Sequence, residues 1–325
     1  MTDTQPTPPM REVLGTDAPT NWGKWGPDDE LGCLNYLDDA EVLRGVRHIR
    51  TGETFTLQTQ MGHPKGDPVF PGRKSIEREN ILDEGSWAPD ADGTAPDFPG
   101  GLHYADDVAR IFLQGSTQYD ALGHVWYDDR IWNGYDAETT VGGLDKASVL
   151  PIAEKGVAGR GVLIDMARHR GKEHLAKGET FDHRDLQEAA RAQGVTIEKH
   201  DILLIRTGFV PYWYTTTEEE FYADFCEPGL THSRELVEWF QHAEIPNLVT
   251  DTIANEVTKD PESGAMLPLH CALMRNLGLV LTEVCWLDDL AAACAADGRW
   301  SFLYTAAPLK VVEGTGAPVN PVVIR

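Results

Sequence analysis

The chain is predicted to fold as an α/β protein with long irregular loops. Short apolar runs of strand length recur between stretches that carry helix start and stop residues. The chain has 325 residues, of which 41% are hydrophobic, enough for one domain with a substantial core. No internal repeat and no dividing linker is visible.

In chain order, residues 1–20 are polar and Pro-rich, which predicts a flexible arm ahead of a single domain over residues 21–325. The stretch from Asn21 to Asn35 mixes aromatics, glycines and acids and reads as an ordered loop. Asp38 or Asp39 can cap a helix reaching about Arg50. Thr54 to Met61 alternates like a strand. Residues 62–107 are rich in Pro, Gly and Asp with little periodicity, and so long an irregular segment is expected to serve function or an interface.

Beyond residue 160 the alternation is regular. Gly161–Asp165 reads as a buried strand. Asp182 caps a helix over about 184–193, stopped by Gly194. Asp201–Arg206 is the next strand, Ser233 to about His242 a helix, and Asn247–Asp251 a strand. Pro268 opens a helix that Gly278 closes. Leu279–Glu283 is a strand, and a helix follows over about 287–296.

The formal charge of -24 excludes nucleic acid and anionic membrane surfaces as partners, because both would repel the chain. The five cysteines form no Cys-x-x-Cys pair, which argues against a disulfide framework or a thiolate zinc site. No signal peptide or apolar span is visible at the N-terminus or elsewhere, so a cytoplasmic protein is expected. A Gly-x-Ser-x-Gly elbow and a Gly-rich phosphate loop are both missing.

Chemistry concentrates in Gln114-Gly-Ser-Thr-Gln-Tyr-Asp-Ala-Leu-Gly-His124, where Gln114, Gln118, Asp120 and His124 stand at even spacings. In an extended chain such residues share a face. Convergent donors and acceptors of this kind suit metal binding or proton transfer. The plain alternative is the solvated face of a half-buried strand. A second cluster pairs His270, in the first turn after Pro268, with Glu283 at the end of the following strand. Imidazole and carboxylate suit Zn or Mn; a capping His and a surface Glu are the alternative. Trp126, Tyr127, Trp132 and Tyr135 follow the first segment and either wall a pocket or pack in the core. His103, Arg73 and Arg206 are further polar candidates, for which a structural role is the simpler reading.

The 114–124 segment resembles a degenerate His-x-Gly-Thr-His-x-Asp-x-Pro-x-His signature, that of the cyclase family of metal-dependent hydrolases (the kynurenine formamidase and isatin hydrolase type). Thr117, Asp120 and His124 match it; Gln114 and Gln118 stand where two signature His would be. The 21–35 loop, Asp201–Gly208, Asp251 and the tail Gly314–Pro321 are similar to further family segments, in the right order. The resemblance implies a swivelling β/β/α fold with mixed sheets. It also implies a homodimer or homotetramer whose long loops complete neighbouring sites.

By the same resemblance, Asp120, His270 and Glu283 would hold a divalent metal, Mn or Zn, with Gln118 as a neutral ligand. His124 would shuttle the proton, alone or paired with Asp120. The substrate would be a small cyclic or aryl amide, imide, lactam or lactone; read from the residues alone, Trp126, Tyr127, Trp132, Tyr135, Gln114 and His103 are the candidates to bind it. The two Gln departures leave three outcomes open: one metal rather than two, a harder ion, or none. A lyase or cyclase using the same His124 and Asp120, and a non-catalytic small-molecule-binding homologue, are the alternatives.

Overall fold

A computed structural model describes residues 6–93 and 95–325. Its strands are β1 (Thr54–Thr56), β2 (Glu77–Leu82), β3 (Asp106–Arg110), β4 (Gln118–Asp120), β5 (Val157–Asp165), β6 (Thr180–Phe181) and β7 (Ile202–Arg206). They continue as β8 (Gly229–Leu230), β9 (Asn247–Thr250), β10 (Val280–Glu283), β11 (Ser301–Ala306), β12 (Gly316–Pro318) and β13 (Val322–Ile324). Nine of them form one mixed sheet in the order β1-β13-β11-β5-β7-β9-β10-β4-β12.

The centre, β5-β7-β9-β10, is parallel. Both faces of a parallel sheet are covered, so its strands read as continuous apolar runs. Ile202, Leu203, Leu204 and Ile205 are accordingly all buried. Antiparallel strands complete both edges: β11, β13 and β1 on one side, β4 and β12 on the other.

Three helices begin where the sequence supplies caps. Asp38 accepts from Ala40 N and Glu41 N to open Asp39–Val46. Asp182 and Asp185 cap each other at the start of His183–Gln193, and Gly194 ends that helix at φ 72°. Ser233 opens Arg234–Ala243. The last two helices lay their apolar stripes on the core, with Leu186, Ala189, Leu236 and Phe240 buried, while Asp39–Val46 buries only Gly45.

Several expectations are corrected. The arm is not loose throughout, since Met10–Leu14 is helical and Leu14 is buried in the core; residues 1–5 lie outside the described residues. The 54–61 strand shortens to β1 plus a single bridge from Gln58 to Cys285, because Gln58 and Thr59 bond to side chains of 116–117 instead. Inside 62–107 lie β2 and a 3-10 turn at Glu84–Trp87, and β2 pairs with β3 as an exposed hairpin. Neither face of that hairpin is buried, so its sequence carries no alternation. All five cysteines are free thiols, four of them buried.

Candidate metal centre

Strand β4 is three residues long, and the even spacing of 114–124 therefore does not build one face. The geometry comes from pairing. β4 runs antiparallel to β10 with Gln118 opposite Glu283, and antiparallel to β12 with Asp120 opposite Gly316. Opposed residues share a face of the sheet, so Gln118, Asp120 and Glu283 converge. Gly316 is required there, because a Cβ on it would stand 2.7 Å from Gln114 Nε2 and 2.8 Å from Tyr119 O. Thr117 locks the edge, donating to Val284 O at 2.6 Å and accepting from Thr59 N at 2.9 Å.

His270 enters from the π-helical turn His270–Asn276, which starts two residues after Pro268. Glu256 fastens it: one carboxylate oxygen accepts from His270 N at 2.7 Å and contacts Nδ1 at 2.6 Å, while the other accepts from Leu269 N at 2.8 Å. The opposite ring nitrogen, Nε2, faces Glu283 Oε1 at 3.2 Å. A carboxylate on one imidazole nitrogen with the other free for a ligand is a common second-layer arrangement in metal sites. One ligand atom each from Asp120, His270 and Glu283 lie within 4.8 Å of one another, and all three residues are buried.

Around this triad Gln118 Nε2 donates to Glu283 Oε2 at 2.7 Å, and Asn255 Nδ2 donates to Glu283 Oε1 at 2.9 Å. Glu227, wholly buried, accepts from Ile253 N at 2.6 Å. Asp120 Oδ1, Gln118 Oε1, Asn255 Oδ1 and Glu227 Oε2 are buried without a donor. Unpaired buried acceptors are costly. Four buried carboxylates surround one buried imidazole. Oxygen acceptors without donors, in excess of positive charge, fit a divalent cation.

The electrostatics follow from burial. Desolvation, then the Glu283 charge, pushes Asp120 up to about 6 against His124, His270 and Arg73. Glu256 is raised and Glu227 raised well above the usual carboxylate range, both first by burial. Burial acts to lower His270, but hydrogen bonds and charge from Glu256 and Glu283 outweigh it and hold it at about 10. The proton on Nε2 is therefore what a metal ion would displace. His124 is pushed down, by burial first and by the Arg73 and His270 charges, against Asp120. It follows β4 through the turn closed by its N–H to Ala121 O at 2.9 Å.

The structure thus gathers Gln118, Asp120, His124, His270 and Glu283. Gln114 stands beside them, but its amide donates to Thr315 Oγ1 at 3.1 Å. The predicted aromatics take packing positions. Trp132 is fully buried with Nε1 donating to Asp29 O, and it covers Gly278. Tyr127 donates to Asn276 and carries the Arg275 guanidinium 3.8 Å over its ring. Tyr135 donates to Asp29 O, and Trp126 is exposed. His103 stacks on Trp87 and contacts Glu84 in the exposed hairpin connection. Arg206 clamps Asp165 and Asp288.

Other aromatics, among them Phe70, Tyr214 and Trp286, pack on a cluster that contains Ile253 and Val284, the residue after β10. Sequence reasoning missed Glu227, Asn255 and Glu256. The only local signal was a run of polar residues in a segment of no period.

The chain belongs to the cyclase family: residues 49–257 match the family model described as "Putative cyclase". A crystal structure of a novel cyclase is 34% identical over 94% of this chain and 99% of its own, with a TM-score of 0.84. Isatin hydrolase A from Labrenzia aggregata, solved with benzyl benzoate, is 18% identical over 86% of this chain and 94% of its own, TM-score 0.58. A potential metal-dependent hydrolase with cyclase activity is 16% identical over 84% and 98%, TM-score 0.50. No curated protein matches the sequence. The family is enzymatic, and the mixed α/β fold is its fold. No helix among the described residues is long and apolar enough to cross a membrane.

Proposed function

We propose that this protein is a metal-dependent hydrolase that opens a small cyclic or aryl amide, imide, lactam or lactone. The observation that carries this reading is the buried Asp120–His270–Glu283 triad with the donorless oxygens of Asp120 and Gln118 beside it. These residues would hold one divalent ion, Mn or Zn, with Gln118 Oε1 as a neutral ligand. Bound there, such an ion supplies Lewis-acid polarisation of a carbonyl and a lowered water pKa. His124, kept neutral at pH 7 by its lowered pKa, is fit to accept a proton from water and return it to the leaving nitrogen or oxygen. Asp120, beside it, favours the charged imidazole formed midway. Glu256 fixes the His270 ring. Names of solved relatives, an isatin hydrolase and a metal-dependent hydrolase, support the same class.

The replacement of two signature imidazoles by Gln114 and Gln118 keeps a second reading in play, a lyase or cyclase that moves protons with His124 and Asp120 without net hydrolysis. A homodimer or homotetramer is part of the proposal, and the exposed Ile81, Leu102, Val108 and Phe112 on and around the β2–β3 hairpin support it.

The test is turnover of a panel of lactams, imides, lactones and aryl amides in ¹⁸O-water by protein of measured metal content. Incorporation of one ¹⁸O per product, lost on removing metal, is expected. His124→Ala should lower kcat on the order of 10²- to 10⁴-fold at unchanged metal content. Product without ¹⁸O would favour the lyase reading. Ligand binding with no turnover, unchanged in His124→Ala, would leave a binding protein.

A further inference from the structure

Arg73 sits beside the segment that leads to the centre, and no carboxylate among the described residues lies within 4.0 Å of it. The turn Phe70-Pro71-Gly72-Arg73, closed by Arg73 N donating to Phe70 O at 3.0 Å with Gly72 at φ 97°, presents it. Its Nη1 donates to Gln114 O at 3.1 Å, tying it to the segment that leads into β4. Its guanidinium carbon stands 5.7 Å from the Phe70 ring centroid, and Phe70 belongs to the aromatic group packed on Ile253 and Val284. Its positive charge acts on both Asp120 and His124.

The other arginines show what is unusual. Among the described arginines that are not exposed, only Arg73 and Arg275 lack a carboxylate within 4.0 Å. Arg275 is otherwise satisfied: its nitrogens donate to Arg130 O, Asn276 Oδ1 and Tyr127 O, and it stacks on Trp22 and Tyr127. Arg73 makes one hydrogen bond from five donors. If its role were only to neutralise Asp120, direct contact would serve better, since the pair energy falls with distance. Held by the Gln114 carbonyl through one nitrogen, it keeps the rest of its fork of donors free at the entry to β4, with the Phe70 ring next to it. A guanidinium fork matches a carboxylate in geometry and charge. In a chain of net charge -24, it also offsets the repulsion an anion would meet.

We infer that Arg73 is the specificity-determining residue of this site and receives a carboxylate that the substrate carries on an apolar body. This rests on reading the Asp120 centre as the active site, as proposed above.

Benzoate and benzamide are the probes, alike in shape and different in charge. Their binding to the full chain, loaded with Mn and checked for metal content, is measured by calorimetry for wild type, Arg73→Gln and Arg73→Lys. Wild type should prefer benzoate on the order of 10- to 100-fold. Arg73→Gln should abolish that preference at unchanged benzamide affinity, and Arg73→Lys should keep part of it. Equal binding of both probes by wild type, no detectable benzoate binding, or a preference that survives Arg73→Gln would overturn the assignment; benzoate held by metal alone gives the last result. If the protein binds no metal and hydrolyses nothing, yet Arg73→Gln removes the preference, the hydrolase reading fails and Arg73 stands. Metal-dependent hydrolysis with the preference untouched in Arg73→Gln sinks Arg73 alone.

Discussion

Gln118 and Glu283 face each other across the antiparallel β4–β10 pair, and the Gln118 amide donates to the Glu283 carboxylate at 2.7 Å. A neutral amide at this position does two things at once. Its nitrogen holds Glu283, and its oxygen is left as a donorless acceptor in the centre.

Gln118→Glu would replace that bond with two carboxylates in contact. The metal-free variant should lose about 1–3 kcal/mol of stability, because like charges meet in a buried site. Divalent metal should restore more stability to it than to wild type. Thermal melts with chelator and with added Mn measure both; a variant as stable as wild type in chelator would show that Gln118 and Glu283 are not in contact.

Asp120→Ala removes the carboxylate shared by the triad and the His124 side. Elemental analysis should find about one divalent ion per wild-type chain and close to none in the variant, since losing one of three charged or imidazole donors leaves too few. Full retention of metal by Asp120→Ala would move the centre elsewhere.

Glu256→Gln breaks the pair that orients His270. Metal affinity should fall roughly 10- to 100-fold, as for other residues that orient a ligand from behind. Some stability goes with it, because one backbone donor of Leu269 or His270 loses its acceptor. A competition titration against a chelator dye reads the affinity directly.

Gly278→Ala tests the packing that aims the His270 helix. Gly278 has φ +71°, and a Cβ there would stand 2.5 Å from the Trp132 ring. Strain and overlap together should cost roughly 2–4 kcal/mol, seen as a lower midpoint in urea. An unchanged midpoint would mean that Trp132 yields freely.

Away from the centre, Glu179 gives a pH test. Burial acts to raise its pKa, but hydrogen bonds from Lys172, Ala176 N and Arg170 win and hold it at about 2. A carboxyl depressed on folding adds stability that is complete above its unfolded pKa, near 4.5, and is lost as pH falls toward 2. Glu179→Gln should therefore be less stable than wild type by roughly 1–3 kcal/mol at pH 7, with the gap narrowing below pH 4.5. Melts of both proteins at pH 7 and pH 3 decide it; a gap that stays constant with pH would refute the ion-pair account.

The sequence by itself determined the α/β order of elements. Helix caps at Asp38, Asp182 and Ser233 act within a single turn of chain, and the apolar runs at 161–165, 202–205, 247–250 and 280–283 are buried on both faces whatever their order in the sheet. Such signals are local, so they survive in one dimension. It also marked Asp120 and His124, by their even spacing and the resemblance of 114–124 to a family signature, and His270 and Glu283, by their places in a helix's first turn and at a strand end.

Only the tertiary structure decided how those residues meet. The even spacing of Gln114, Gln118, Asp120 and His124 suggested a continuous strand face, yet three residues of strand sufficed, since pairing to β10 and β12 sets the register. Trp132 and Tyr127 went to packing rather than to a pocket wall, because the 21–36 loop and Arg275 claim them. Glu256, Asn255 and Glu227 reach the centre from irregular chain, where no period announces a side chain's direction. Arg73 arrives from a turn more than forty residues before β4. Contacts between residues so far apart in sequence are fixed by how the sheet and loops close on one another, and that closure leaves no local trace.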